Sequence, residues 1–498
     1  MRGHTIGALL LLLLAMWGGT MVSGIHGIAD FSLKDHIGTG QPPAGWPMTG
    51  VLNSAGAIIF GHQMLAVLAA LGILTLTVRA LRSELPGPVR DGALIVGGLV
   101  ILQFILGVTA LVSGRYDIGV AHQMNAVLLL GGCCSSSSPC AGRPAARGGE
   151  MRQDRAVGTW LLLLAGMVFG MVVGGGHART IGAGFTIQVW RPFTGFIPPL
   201  NAADWNQLYG LYQHTAQYQA QPIDMAQYKA LFWPMFLDRC WGRLMACVFL
   251  LPFGYFLLKG RIQRKLALWL GFIFLLGAGQ ATYGWYMVQT GMYPGVVSPP
   301  PEWAAPHLLS AMLILLLLIW TGMSLRTPEP VPLEGASSLR GLASASVLLI
   351  WITMGFGALV ATSGALHVYN SFPTMDGAWT PPGAFAQDPL WSNFVTNKGT
   401  VQFCHRLLAT VTALTVLTTA VMGLRRRLPP ALRDIFLLLA LLVALQYVLG
   451  MATLVLGNNE LGFVHELNAV LLFATAIAAR HGLRGAVAAP VGALAAAE

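Results

Sequence analysis

Residues 463–473 read FVHELNAVLLF and residues 120–130 read VAHQMNAVLLL. Each stretch opens an apolar run with a histidine. Each histidine has a partner 60 residues upstream, FCHRLLA around His405 and FGHQMLA around His62. The two copies align without gaps from Gly107 to His122 and from Gly450 to His465. A middle copy reads FLDRCWGRLMA around Asp238 and PHLLSAM around His307, 69 residues apart. The chain is therefore read first as an internal repeat, because a repeated supersecondary unit fixes the architecture before any local detail does.

Of 498 residues, 10% are charged and 55% are hydrophobic. A soluble fold needs more polar surface than that, so the composition points to a polytopic membrane protein. Twelve candidate spanning helices fall near 6–25, 56–78, 92–112, 118–132, 157–176, 236–258, 266–288, 304–324, 343–366, 402–424, 434–456 and 462–480. The fourth is short for a hydrocarbon core of about 30 Å. The N-terminal MRGHTIGALLLLLLAMWGG is read as a retained first helix, because it lines up with Leu348–Gly364 of the last copy.

The net charge of +10 comes from basic residues in alternate loops and at both ends, which hold 20 of the 29 Lys and Arg. That distribution is the positive-inside bias of a membrane protein, not a nucleic-acid footprint, and it places both termini in the cytoplasm. A bacterial cell inner membrane is the expected location. The fold class is all-α integral membrane, about twelve transmembrane helices in three repeated four-helix units. These run over 1–132, 156–325 and 341–482, with cytoplasmic linkers at 133–155 and 326–340 and a tail at 483–498. Long outer loops are expected at 177–235 and 367–400. Cys133, Cys134 and Cys140 fall in the first linker, where thiols stay reduced.

Two crossings of about 23 residues with two turns come to roughly 60 residues, so paired histidines return to one depth near the outer surface. The plain alternative is a hydrogen-bonded core histidine. Recurrence inside a membrane, where polar groups are costly, favours a functional pair. Zinc or copper would want three or four converging donors. Two imidazoles match the axial ligation of a haem between bundle helices. The expected iron ligands are His405 and His465, His307 in the middle copy, and His62 and His122 in the first. His26, His177 and His367 recur where a helix meets an outer loop, as interface residues or substrate contacts. Arg239, Arg243 and Arg406 flank ligand positions, to pair with haem propionates or to snorkel to headgroups.

From about Gly158 to Arg484 the chain resembles the haem A synthase family. The carrying stretches are GGGHARTIGAGFTIQVW, FLDRCWGRLMA, GQATYGWYMVQTGM, PHLLSAM, ALHVYNSFPTMDGAWTPP, VQFCHRLLA, LGMATLV and FVHELNA. Residues before 156 look like an extra copy of the family's second half. The resemblance implies a membrane oxidoreductase that converts haem O to haem A, a methyl-to-formyl oxidation, for terminal oxidase assembly. It implies a haem b cofactor on His405 and His465 with Arg406 beside it. It implies substrate haem in the first half, at Asp238 and His307 with Arg239 and Arg243. Expected partners are haem O, membrane lipid, an electron donor, a haem O synthase and oxidase assembly factors, with no nucleic acid. The family motif has Glu three residues before a His-Arg pair. Here those positions hold Met235, Asp238 and Arg239, leaving Asp238 as the remaining candidate catalytic carboxylate. That departure keeps two alternatives open, a non-catalytic haem-binding assembly protein and a multi-haem electron-transfer cytochrome.

Overall fold

The computed structural model describes residues 55–82, 87–113 and 154–487, apart from Phe193 and Pro328, together with the single helical positions Ala15, His122 and Asn125. The helices expected at 6–25 and 118–132 otherwise lie outside the described residues, as do the linker cysteines. Two compact units are distinguished. One comprises residues 1–149 with 275–286, the other 150–274 with 287–498.

In the first unit, α1 (Ala55–Arg82) and α2 (Gly87–Ser113) pack on each other. The long helices that follow are α3 (Arg155–Thr180), α4 (Met225–Leu258), α5 (Arg264–Gln289), α6 (Pro301–Arg326), α7 (Ser337–Ser363), α8 (Lys398–Arg425), α9 (Pro430–Leu456) and α10 (Asn459–Gly482). All eight are long and apolar enough to cross a membrane, and they fall where the last eight spans are expected. Among the described residues no β-strand forms beyond two isolated bridges. Many large apolar side chains point outward, including Leu251, Leu258, Leu441 and Leu456. Water would oppose that surface; lipid does not, and the protein is a multi-pass integral membrane protein.

Helix starts are set by local chemistry. Asp154, Asn397 and Asn458 accept hydrogen bonds from the first free amides of α3, α8 and α10, as N-caps do. Pro301 and Pro430 open α6 and α9, where a missing amide hydrogen costs nothing. Asp224 and Gln227 form a reciprocal capping box that starts α4 at Met225. Helix α4 was expected from residue 236, so the first outer loop is shorter than 177–235. The added turns carry Tyr228, Phe232 and Met235 into a buried cluster with Tyr212 of the loop helix Ala202–Gln213.

The last four helices close a ring in which α7 packs on α8, α8 on α9, α9 on α10 and α10 on α7. Helices α8 and α10 therefore stand diagonally opposed. Helix α3 packs on α4 and α6, and α10 touches both α3 and α6, joining the two halves of this unit.

Candidate functional site

The ligand positions do not open their helices, as the sequence suggested. His405 is the eighth residue of α8, His465 the seventh of α10, His307 the seventh of α6 and His62 the eighth of α1. At about 1.5 Å per residue each lies roughly 10 Å along its helix from the first residue. The caps begin the helices a turn early and so carry the imidazoles further from the loop.

In the last copy both imidazoles rest on glycine. A Cβ on Gly357 of α7 would stand 3.2 Å from His405 Cε1, and one on Gly450 of α9 would stand 2.9 Å from His465 Cε1. Only a hydrogen in those places lets the rings lie flat against the neighbouring helix. Gln446 on α9 places its Nε2 3.2 Å from His465 Nε2. Asn468, one turn beyond His465, holds that glutamine by donating to Gln446 Oε1 (2.7 Å) and to Leu442 O (3.0 Å). Nδ1 of His405 and Nδ1 of His465 are buried and make no hydrogen bond among the described residues. Imidazole nitrogens left over in a membrane interior are costly. Set on diagonally opposed helices, they fit a group that takes two imidazoles from opposite sides.

In the middle copy Asp238 of α4 occupies the place of His405. Its carboxylate presses on Gly174 of α3, where any Cβ would collide with Oδ1. That oxygen is buried without a hydrogen-bond partner among the described residues. Ser310 stands in the place of Asn468, and its hydroxyl donates to Pro306 O and His307 O. A serine therefore stands where the last copy has its asparagine.

The three arginines engage the outer loops. Arg239 donates to Ile187 O (2.8 Å) and Val189 O (3.3 Å), and Arg243 donates twice to Arg191 O. Arg406 donates to Tyr369 O (2.7 Å), Ser371 O (2.9 Å) and Thr374 O (3.4 Å). Arg239 and Arg243 also line a cleft of about 130 Å³ with Arg191, Asp204 and Phe236. Sequence reasoning offered propionate pairing or snorkelling and missed loop anchoring. It missed Arg179 and Glu466 as well, which join α3 to α10 at 2.6 Å beside His465. Gln446 and Asn468 were within reach of the sequence. Extending the gapless alignment four residues upstream of Gly450 and three downstream of His465 finds Gln103 and Asn125 at the same offsets.

His177 lies 6.3 Å, centre to centre, from the Phe463 ring, and His367 borders Gly457. His26 lies outside the described residues. Cys240, Cys247 and Cys404 are free thiols, and no cluster of three or more metal-ligating side chains occurs among the described residues.

Long apolar helices with histidines set between them define a multi-pass helical membrane protein. The COX15-CtaA family model, described as cytochrome oxidase assembly protein, matches residues 1–134 and 158–477. Heme A synthase 1 of Acidiphilium cryptum is 60% identical over 344 residues, covering 69% of this chain and 96% of that protein. Heme A synthase 2 of the same organism is 38% identical, covering 68% and 95%. Heme A synthase COX15 of Arabidopsis thaliana is 35% identical, covering 68% and 76%. The chain belongs to the COX15-CtaA family, in agreement with the resemblance its motifs carry.

Proposed function

We propose that this protein is a membrane oxidoreductase that converts haem O to haem A for terminal oxidase assembly. The observation that carries this is the 60% identity to Heme A synthase 1 across 96% of that protein. Overall, one methyl carbon of the substrate gains an oxygen atom, balanced as R–CH3 + H2O → R–CHO + 4 H+ + 4 e−, with the four electrons passing to an electron acceptor of the membrane. The resident group is read as haem b, held by His405 and His465, and when bound its iron supplies one-electron redox chemistry. The chain's own contribution is positional. Gly357 and Gly450 let the rings lie against α7 and α9. Gln446 and Asn468 orient His465, as outer-shell amides orient metal-ligating histidines. Arg406 fastens the second outer loop over the outer end of α8.

The substrate haem is assigned to the middle copy, with His307 as its iron ligand and Asp238 on the opposing helix. Asp238 provides a buried carboxylate oxygen free to hold or move a proton. Arg239 and Arg243 tie the first outer loop down beside it. The cell inner membrane, cytoplasmic termini, an electron donor and a haem O synthase complete the proposal. Both outer loops then lie on the opposite side from the basic turns.

A second reading, a non-catalytic haem-binding assembly protein, is favoured by one observation. Met235, where the family has glutamate, is buried among aromatic side chains. Co-expression with a haem O synthase, followed by haem extraction, separates the two. Haem A in the wild type and its loss in His307→Ala is the expected result. No haem A from the wild type, while Heme A synthase 1 produces it in the same host, overturns the enzymatic reading.

A further inference from the structure

We infer that the first copy is a second resident haem site, with His62 and His122 as its two iron ligands. It rests on haem being the ligand at His405 and His465. Its own evidence is the geometry within residues 15–125.

His62 Nδ1 lies 2.8 Å from Ala15 O and His122 Nδ1 lies 3.0 Å from Gln103 O. A backbone carbonyl accepting from Nδ1–H fixes the tautomer and leaves Nε2 unprotonated on each ring; on His122 that nitrogen faces Gln103 Nε2 at 3.2 Å, a contact that an iron atom would replace. The ring centres are 6.3 Å apart and the ring planes stand at 87°. Two metal–imidazole bonds of about 2.0–2.1 Å, plus half a ring on each side, put the centres of a bis-imidazole site roughly 6.4 Å apart. Perpendicular planes suit such a site, since two rings can share a ligation axis at any rotation about it.

The contacts around His122 repeat those around His465, with the bond from His122 Nδ1 to Gln103 O added. Gln103 Nε2 stands 3.2 Å from His122 Nε2, and Asn125 donates to Gln103 Oε1 (2.8 Å) and Leu99 O (2.9 Å). A Cβ on Gly107 would stand 2.8 Å from His122 Cε1. A buried amide pair in an apolar bundle is costly unless it serves a site. A decayed repeat would replace Gln103, Asn125 and Gly107 with apolar side chains at a gain in stability. The middle copy differs at two of these places, with Asp238 for the first histidine and Ser310 for the asparagine. The first copy therefore matches the resident-haem half of the molecule and not the substrate half.

The test loads the purified full-length chain with haemin, counts haem by pyridine haemochrome and resolves low-spin species by electron paramagnetic resonance. Two low-spin haems per wild-type chain are expected. His62→Ala with His122→Ala should halve them and leave the other signal in place, and His405→Ala with His465→Ala should do the converse. Gly107→Leu, which keeps both ligands but fills the space under the ring, should also lower the count towards one. One low-spin haem in the wild type, lost only with His405 and His465, overturns this inference alone. No low-spin haem in the wild type overturns the haem reading of both sites. The wild-type count is decisive even where a variant fails to fold.

Discussion

Arg179 on α3 donates to Glu466 on α10 at 2.6 Å, and Glu466 follows His465 directly in the chain. The pair is part-buried, with its side chains 30% and 22% exposed. It ties the first four of the long helices to the last four at a point beside His465, the proposed iron ligand. Alongside it, Phe463 packs over Gly176, where a Cβ would stand 2.8 Å from the ring. Removing the carboxylate in Glu466→Gln should raise the midpoint potential of the haem on His465, and Arg179→Gln should lower it. Each shift should be on the order of tens of millivolts. The double variant should return close to wild type. Redox titration checks this; equal shifts of one sign would show that the charges do not act on the iron.

Gly450→Ala should weaken haem binding without unfolding the bundle. The new methyl would meet His465 Cε1 at 2.9 Å, so the ring must turn away from α9 and lose its alignment. A displacement of this kind costs roughly 1–3 kcal/mol, equivalent to about a tenfold or greater loss of haem affinity. Haemin titration of the purified variant measures it.

Arg406→Met should loosen the second outer loop. Its guanidinium holds three loop carbonyls, and charged hydrogen bonds contribute about 1.5–3 kcal/mol each when lost unilaterally. Lysine cannot span the three acceptors, so Arg406→Lys should be almost as damaging. Hydrogen exchange over residues 367–397 should rise in both variants, while exchange in α9 stays unchanged.

Asp154 carries two roles at the N-terminal end of α3. It caps the helix through Ala156 N (3.1 Å) and Val157 N (3.0 Å), and it receives a two-pronged bond from Arg261 at 2.7 and 2.5 Å. Partial burial opposes ionisation, but the Arg261 bond and the two amides together hold its carboxyl below the usual 3.8. A lowered folded-state value means the stabilisation is present above pH 3.8 and is lost as pH falls through the lower folded value. Asp154→Ala should cost about 1–2 kcal/mol at neutral pH, and Asp154→Asn less, because it keeps the cap. Thermal melts at pH 7 and pH 3 should show the wild-type advantage shrinking in acid.

Asp238→His should create a third bis-imidazole site with His307. Gly174 already leaves room on α3, as Gly357 does for His405. A new low-spin haem component in the purified variant is the expected outcome. Met235→Glu should behave differently, because that position lies in the cluster with Tyr212, Tyr228 and Phe232. An unpaired carboxylate there costs about 2–4 kcal/mol. If the double variant makes more haem A than wild type, the missing glutamate and histidine limit activity; equal yields show that they do not.

The eight spans from Arg155 to Gly482 were legible because a membrane helix must satisfy its own backbone in about 20 apolar residues. Basic turns, caps and repeat spacing then follow from short-range pattern. The 60-residue interval named His405 and His465, and the gapless alignment marked Gly450. Helix starts were less legible, since Asp224 with Gln227 and the aromatic packing of Tyr228 extend α4 well beyond its apolar run.

By itself the sequence determined the family and the helical class, and it named the histidines proposed to pair, since each of these depends on residue type and spacing along one chain. Only the tertiary structure decided what surrounds them. Gln446 reaches His465 from α9, Arg406 turns to the carbonyls of Tyr369 and Ser371, and Arg179 crosses to Glu466 from a helix 287 residues away. Such contacts depend on which helix faces lie together. That is fixed by packing between elements, which no local pattern records.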